Sequence, residues 1–198
     1  MEKTLNYYNT HAGLFISDTQ RVDFHEAQDL FLKELPLNAK ILDFGCGSGR
    51  DTKYFIEKGY SVDAADGSAE MCKLAAEYTG IPVKQMLFHE LNDSAVYDGI
   101  WACASILHSS ADELKDVVRR MEKALKDGGI VYTSFKYGDY EGERGGRYYI
   151  DFTEDSWTDF LQIFPGLRIK DMWISGDVRP GRGEEKWLNA LLRKSILL

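Results

Sequence analysis

Proline is scarce in this 198-residue chain: there are four, none adjacent to another. No proline-rich linker, low-complexity tract or internal repeat divides it. Cysteine is equally sparse. Cys46, Cys72 and Cys103 are odd in number and include no Cys-x-x-Cys pair, which argues against a disulfide framework and a cysteine-rich zinc site. No apolar run approaches the roughly 20 residues of a membrane span. The opening MEKTLNYYNTHAGLF lacks a basic segment followed by an apolar one. Cations are outnumbered, 24 Lys and Arg against 32 Asp and Glu, for a net charge of −8. Broad binding to nucleic acid, which needs many cations on phosphates, is therefore disfavoured. The expectation is a single cytoplasmic domain in a reducing environment, with no metal and no membrane partner.

What is present is alternation. Short apolar β-branched runs at Lys40–Phe44, Tyr60–Ala65, Pro82–Leu87, Tyr97–Ala104, Gly129–Phe135, Leu167–Ile174 and Lys186–Leu192 read as strands. Between them apolar residues recur at helical spacing: Met71, Leu74, Ala75 and Tyr78; Leu114, Val117, Val118 and Met121; Trp157, Phe160, Leu161 and Phe164. Ser110 three residues before Glu113 makes a capping box, Asp127-Gly128-Gly129 reads as that helix's end, and Thr153 caps the next one. The first 35 or so residues read as helix, with Phe24, Ala27, Leu30, Phe31 and Leu35 on one apolar face. Strand–helix–strand alternation predicts a parallel sheet with helices on both faces. Only SGDVRPGRGEE separates the last two runs, so the last strand is expected to turn back antiparallel. NYYNTHAGLF and KYGDYEGERGGRYYIDF, polar and aromatic at once, are expected to be functional loops.

The stretch AKILDFGCGSGRDT places three alternating glycines behind an apolar run closed by Asp43. In an open parallel sheet this turn lies at the ligand-binding edge. Gly45 and Gly47 permit a tight turn and close ligand approach, while Gly49 is expected to let the following helix pack on the strand. A dinucleotide turn wants Gly-x-Gly-x-x-Gly/Ala, but Arg50 stands at its last position. The spacing thus suits a ligand that needs the glycine shelf and no pyrophosphate seat. Asp66, ending the next strand, is placed to accept ribose hydroxyls; Asp63, mid-strand, is the weaker choice.

These residues resemble the class I S-adenosylmethionine-dependent methyltransferases. ILDFGCGSG is similar to that family's first motif, VDAADGSAEMCKLA to its ribose-acid segment, and YDGIWACASILHSS to the segment beside methyl transfer. The finer likeness is to small stand-alone enzymes of the tellurite-resistance and ubiquinone-biosynthesis types. The resemblance implies a Rossmann-like, doubly wound seven-stranded sheet of order 3-2-1-4-5-7-6, mostly parallel with an antiparallel last strand. It implies one methyltransferase domain over residues 1–198, with 1–35 as a helical cap or lid and 36–198 as the core. The cofactor implied is S-adenosyl-L-methionine and the product S-adenosyl-L-homocysteine. Asp43, Gly45, Cys46 and Gly47 would face the methionine part and its ammonium; Asp66 would bind the ribose. Gly67, Ser68 and Met71 would lie near adenine, flanked by Leu87 and Phe88. Leu87 stands where many relatives carry an Asp for the adenine amino group, unless Glu90 reaches back. Cys103 and Ala104 would pass the sulfonium with their backbone, and Tyr8 would cover it.

The acceptor side is read from residue chemistry. His108 is a candidate general base, or else a histidine that donates to backbone. Tyr7 and His11 lie in the segment that would close the site, or else staple the first helix down. Lys136, Arg144, Arg147, Arg179 and Arg182 could bind an anionic small-molecule acceptor, or else pair with interleaved acids. Arg147 and Tyr149 are the preferred substrate contacts. No Pro-Pro-aromatic or Pro-Cys element of the DNA-methylating enzymes is present. A tRNA or protein acceptor, a non-catalytic cofactor-binding module, a nicotinamide dehydrogenase and a metalloid-detoxifying protein remain as alternatives.

Overall fold

The computed structural model describes residues 2–196. Its strands are β1 (Lys40–Phe44), β2 (Ser61–Asp66), β3 (Val83–Gln85), β4 (Tyr97–Ala102), β5 (Leu125–Lys136), β6 (Glu141–Arg144), β7 (Arg147–Ile150), β8 (Leu167–Gly176) and β9 (Lys186–Lys194). Its helices are α1 (Glu2–Thr19), α2 (His25–Lys33), α3 (Arg50–Glu57), α4 (Ala69–Thr79), α5 (Ala111–Ala124) and α6 (Glu154–Leu161). Seven strands form one sheet of order β3-β2-β1-β4-β5-β9-β8, with β6 and β7 apart as a small hairpin. β9 runs antiparallel to both β5 and β8, so the expected 3-2-1-4-5-7-6 topology is present. Pro180-Gly181 makes the expected turn, closed by Arg182 N–H donating to the Arg179 carbonyl.

The central strands are apolar because helices cover both faces. On one face Phe31 of α2, Phe55 of α3, Trp101 and Tyr132 are fully buried together, with Trp101 and Tyr132 stacked at 3.8 Å between ring centroids. On the other, α5 and α6 bury Leu114, Val118, Met121 and Trp157 against Ile100, Val131 and Phe135.

Several expectations need correction. NYYNTHAGLF lies wholly within α1, because Leu5, Tyr8, Ala12 and Phe15 fall on one face of that helix. KYGDYEGERGGRYYIDF contains the β6–β7 hairpin, whose two-residue turn puts Gly145 and Gly146 at φ +59° and +77°, the conformation a tight hairpin demands. α5 ends at Ala124 rather than at Asp127-Gly128-Gly129. Fully buried Leu125 pairs with Tyr97, and the chain bulges before Ile130 pairs with Gly99. β4 stops at Ala102, and Ile106–His108 forms a single 3₁₀ turn. α2 is core, through Phe31, and only α1 lies over the open edge of the sheet.

Candidate active site

β1 delivers Phe44 into the turn before α3. Gly45 takes φ +85° and Gly47 φ +52°, and the Gly45 and Cys46 N–H groups both donate to the Ala65 carbonyl at 2.8 and 3.0 Å. A Cβ on Gly45 would overlap Ser105, whose hydroxyl is held by the Phe44 carbonyl at 2.7 Å. Gly49 does permit close packing, but against α4 (Ala75 and Thr79) rather than the strand. At the end of β2, Asp66 Oδ2 accepts from Gly47 N–H at 3.0 Å and Oδ1 from Ser68 N–H at 2.8 Å. Burial pushes its carboxyl above the ordinary value, against the pull of the Ser68, Gly47 and Gly67 backbone. Each oxygen keeps acceptor capacity beyond its one backbone bond. Asp63 is occupied elsewhere, by Lys40 at 2.9 Å and the Tyr97 hydroxyl at 3.1 Å.

One cavity runs from this turn, under α1, to the β6–β7 hairpin and the β8–β9 loop. Gly45, Cys46, Gly47, Asp66, Gly67, Met71, Leu87, Phe88, Cys103 and Ala104 line it, as do Tyr8, His108, Arg147 and Tyr149. Four expected residues are not on its wall. Asp43 is 2% exposed behind the turn, with its Oδ2 accepting from the Thr52 hydroxyl at 2.5 Å. Burial, reinforced by the Asp51 carboxylate, pushes its carboxyl up, and through the Thr52 hydroxyl it braces α3. Ser68 caps α4 and donates to Asn9 Oδ1 at 2.6 Å, tying α1 to that helix. Tyr7 stacks on exposed His11 at 4.5 Å; His11 Nδ1 donates to the Tyr7 carbonyl at 2.9 Å, and neither ring lines the cavity.

Where adenine was expected, Glu90 does reach back, yet its Oε2 takes the Leu87 N–H at 2.7 Å. Leu87 and Phe88 therefore present an apolar wall, with Phe88 edge-on to Phe44 at 4.9 Å. Ala104 sits at φ +49° and donates its N–H to Ser134 Oγ at 2.8 Å. Burial raises both cavity thiols, Cys103 to about 12 and Cys46 well above its ordinary value. They stay protonated and are poor nucleophiles.

His108 is 8% exposed. Its Nδ1 lies 2.6 Å from the Tyr148 carbonyl; a carbonyl only accepts, so Nδ1 carries the proton. Nε2 then accepts from the Tyr8 hydroxyl at 2.8 Å. Burial lowers this imidazole from 6.5 to about 4, so the folded protein holds it neutral while the unfolded chain protonates. Its contribution to stability is therefore fully present above pH 6.5 and lost as pH falls toward 4. Relative to His108→Gln, wild-type stability should fall by on the order of 3 kcal/mol across that window. Urea unfolding of both proteins from pH 4 to 7 measures this, and parallel curves would contradict it.

Sequence reasoning missed a buried polar hub. Asp51, 7% exposed, accepts from Arg50 Nε at 2.7 Å and Nη2 at 3.0 Å, Gln28 Nε2 at 2.6 Å and Trp101 Nε1 at 2.8 Å. It fixes Arg50 on the cavity wall, with its guanidinium 4.6 Å over Phe24. Phe15, Trp187 and Asn189 also line the cavity. Asn189 was legible as a lone amide within WLNALL, and Phe15 as the residue two helical turns beyond Tyr8. Most expected basic residues prove paired: Lys136 with Asp177 and Glu185, Arg179 with Asp177 at 2.5 Å, Arg144 with Asp151 at 2.5 Å.

Residues 41–129 match the family model described as a methyltransferase domain. An uncharacterized methyltransferase of Staphylococcus carnosus is 26% identical over 158 residues, covering 74% of this chain and 76% of that one. The malonyl-[acyl-carrier protein] O-methyltransferase of Salmonella typhimurium is 29% identical over 101 residues, covering 47% of this chain and only 37% of that enzyme. Among solved structures, the Burkholderia thailandensis 1,6-didemethyltoxoflavin-N1-methyltransferase superposes with a TM-score of 0.78. Its identity is 26%, covering 96% of this chain and 86% of that one, and it holds S-adenosylhomocysteine and 1,6-didemethyltoxoflavin. With the sheet order and glycine turn in place, residues 41–129 carry a methyltransferase domain, and the chain resembles the S-adenosylmethionine-dependent methyltransferases in sequence and fold.

Proposed function

We propose that this chain methylates a small molecule, and that the cofactor and the acceptor share the one cavity end to end. The observation that carries the reading is the pairing of a side-chain-free shelf with Asp66 across the β1–β2 edge, continuous with an aromatic chamber at Tyr8, His108 and Tyr149. The residues present suit the cofactor. Gly45 and Gly47 leave the main chain open where a Cβ would fill the space, and Asp66 is held by two backbone donors with acceptor capacity to spare for a sugar diol. In this reading Gly67 and Met71, with the Leu87–Phe88 wall, enclose the base. S-adenosylmethionine supplies an electrophilic methyl group on a sulfonium, which an acceptor displaces in line, and S-adenosylhomocysteine is the product.

The chain's own work is positioning and exclusion of water, which accounts for up to about 7–11 kcal/mol of a barrier in favourable cases. α1 roofs the cavity, tied down by Ser68–Asn9 and by the Tyr148 N–H donating to Thr4 Oγ1 at 3.1 Å. Tyr8 projects its hydroxyl inward, oriented by the Nε2 lone pair of His108. With an imidazole near 4, His108 orients Tyr8 rather than removing protons at neutral pH. Burial raises Tyr8 far above its ordinary value, so it remains a neutral phenol.

A small acceptor fits a chamber closed by α1, the β6–β7 hairpin and the β8–β9 loop. The Burkholderia relative, solved with 1,6-didemethyltoxoflavin bound, supports the same class. Two measurements test this. Asp66→Ala should weaken S-adenosylhomocysteine binding by about 1–3 kcal/mol through lost charged hydrogen bonds; calorimetry giving an unchanged Kd would remove the ribose assignment. Transfer of labelled methyl into a small-metabolite extract, but not into tRNA or protein, is expected; the opposite partition would overturn the small-molecule reading.

A further inference from the structure

Of the basic residues on the acceptor half of the cavity, two are paired with acids, and Arg182, which joins no ion pair among the described residues, is exposed. Lys136 and Arg179 converge on Asp177, and Lys136 also meets Glu185. Arg147 is different. Among the described residues it joins no ion pair, and its only side-chain hydrogen bond is Nη1 to the Tyr8 hydroxyl at 3.3 Å. Its Nε is buried without an acceptor.

The groups facing Arg147 are phenols. Its guanidinium carbon lies 4.4 Å from the Tyr7 ring centroid, 5.3 Å from Tyr149 and 5.7 Å from Tyr8. Burial raises the Tyr8 and Tyr149 hydroxyls, so neither ionises to neutralise it. Rings on several sides restrict the plane of the guanidinium, which is half-buried. A half-buried cation without an anion keeps its donors free for one, and a preorganised planar fork matches a carboxylate. The hairpin turn holds it there: Arg147 follows Gly146 directly and pairs across to Arg144, placing the side chain beside the Tyr8–His108 pair at the open end of β4.

We infer that Arg147 is an anion seat inside the acceptor chamber, and that the methyl acceptor is a small planar molecule bearing a carboxylate. The planar body follows from the aromatic walls: Tyr149 stands edge-on to His108 at 4.8 Å, and Trp187 lines the same chamber under Lys136. Arg147 does not deliver the methyl group. It selects and orients, and the paired Lys136 and Arg179 contribute little net charge. This inference rests on the small-molecule reading above.

The test uses the full chain saturated with S-adenosylhomocysteine, and four acids each paired with its neutral amide: benzoate, anthranilate, nicotinate and phenylacetate. Calorimetry should show at least one acid binding about tenfold or more tightly than its amide, as hydrogen bonds to a charged group imply. Arg147→Met should abolish that preference and Arg147→Lys should keep part of it, each with S-adenosylhomocysteine affinity within twofold of wild type and a cooperative melt. No acid preferred over its amide, or a preference that survives in Arg147→Met, would overturn the anion seat. Parallel loss of acid and S-adenosylhomocysteine affinity in Arg147→Met would assign Arg147 to the cofactor and overturn it equally. Failure of the wild-type protein to bind S-adenosylhomocysteine would instead strike the cofactor reading on which all of this stands.

Discussion

Asp51→Ala is expected to remove about 3–5 kcal/mol of folding stability, the usual cost of leaving one member of a buried charge pair alone. The carboxylate receives four hydrogen bonds from three side chains on α2, α3 and β4. Without it the Arg50 cation remains in a site with no other acid bonded to it, and the Trp101 and Gln28 donors lose their acceptor. Marginal stabilities of about 5–15 kcal/mol make this a large fraction of the whole. For a chain of this length the melting temperature should drop by roughly 6–20 °C. Chemical denaturation is the direct measurement. A loss below about 1 kcal/mol would mean that the hub is no stronger than an exposed ion pair.

Gly45→Ala should cost both stability and turnover. Backbone strain at φ +85° contributes about 1–2 kcal/mol, and crowding against Ser105 adds about 1–3 kcal/mol. Ser105 cannot yield freely, since its hydroxyl is bonded to the Phe44 carbonyl. The turn must shift instead, and a displacement near 1 Å can lower a rate about 100-fold. Gly59 provides the internal control. It has nearly the same backbone angle, φ +88°, but a Cβ there meets nothing within 4 Å. Gly59→Ala should therefore show the strain alone, with labelled-methyl transfer unchanged. Equal effects at the two positions would show that the contact with Ser105 is unimportant.

Local chemistry explains what could be read early. The ILDF run, the alternating glycines and the acid ending the second strand are short-range patterns, because a strand, a tight turn and a helix start each impose needs on neighbouring residues. The Ser110 and Thr153 caps are likewise set within four residues, and the structure contains both. The sheet order followed because right-handed crossovers leave few ways to lay alternating strands and helices. Asp66 was separable from Asp63 by position in its strand alone.

The sequence by itself determined the strand–helix alternation, the bare turn and the acid facing it, all of which depend on neighbours along the chain. Tertiary structure alone decided that Asp43 is tucked behind the turn instead of facing the cavity, and that Arg147 stands among tyrosines without an acid while Lys136 and Arg179 are paired. Several of these outcomes depend on which side chains meet across 40 to 140 residues of sequence, as Tyr8 does with Arg147 and Lys136 with Asp177. Composition lists the charges in such loops, but pairing depends on distance in space, and folding sets that distance.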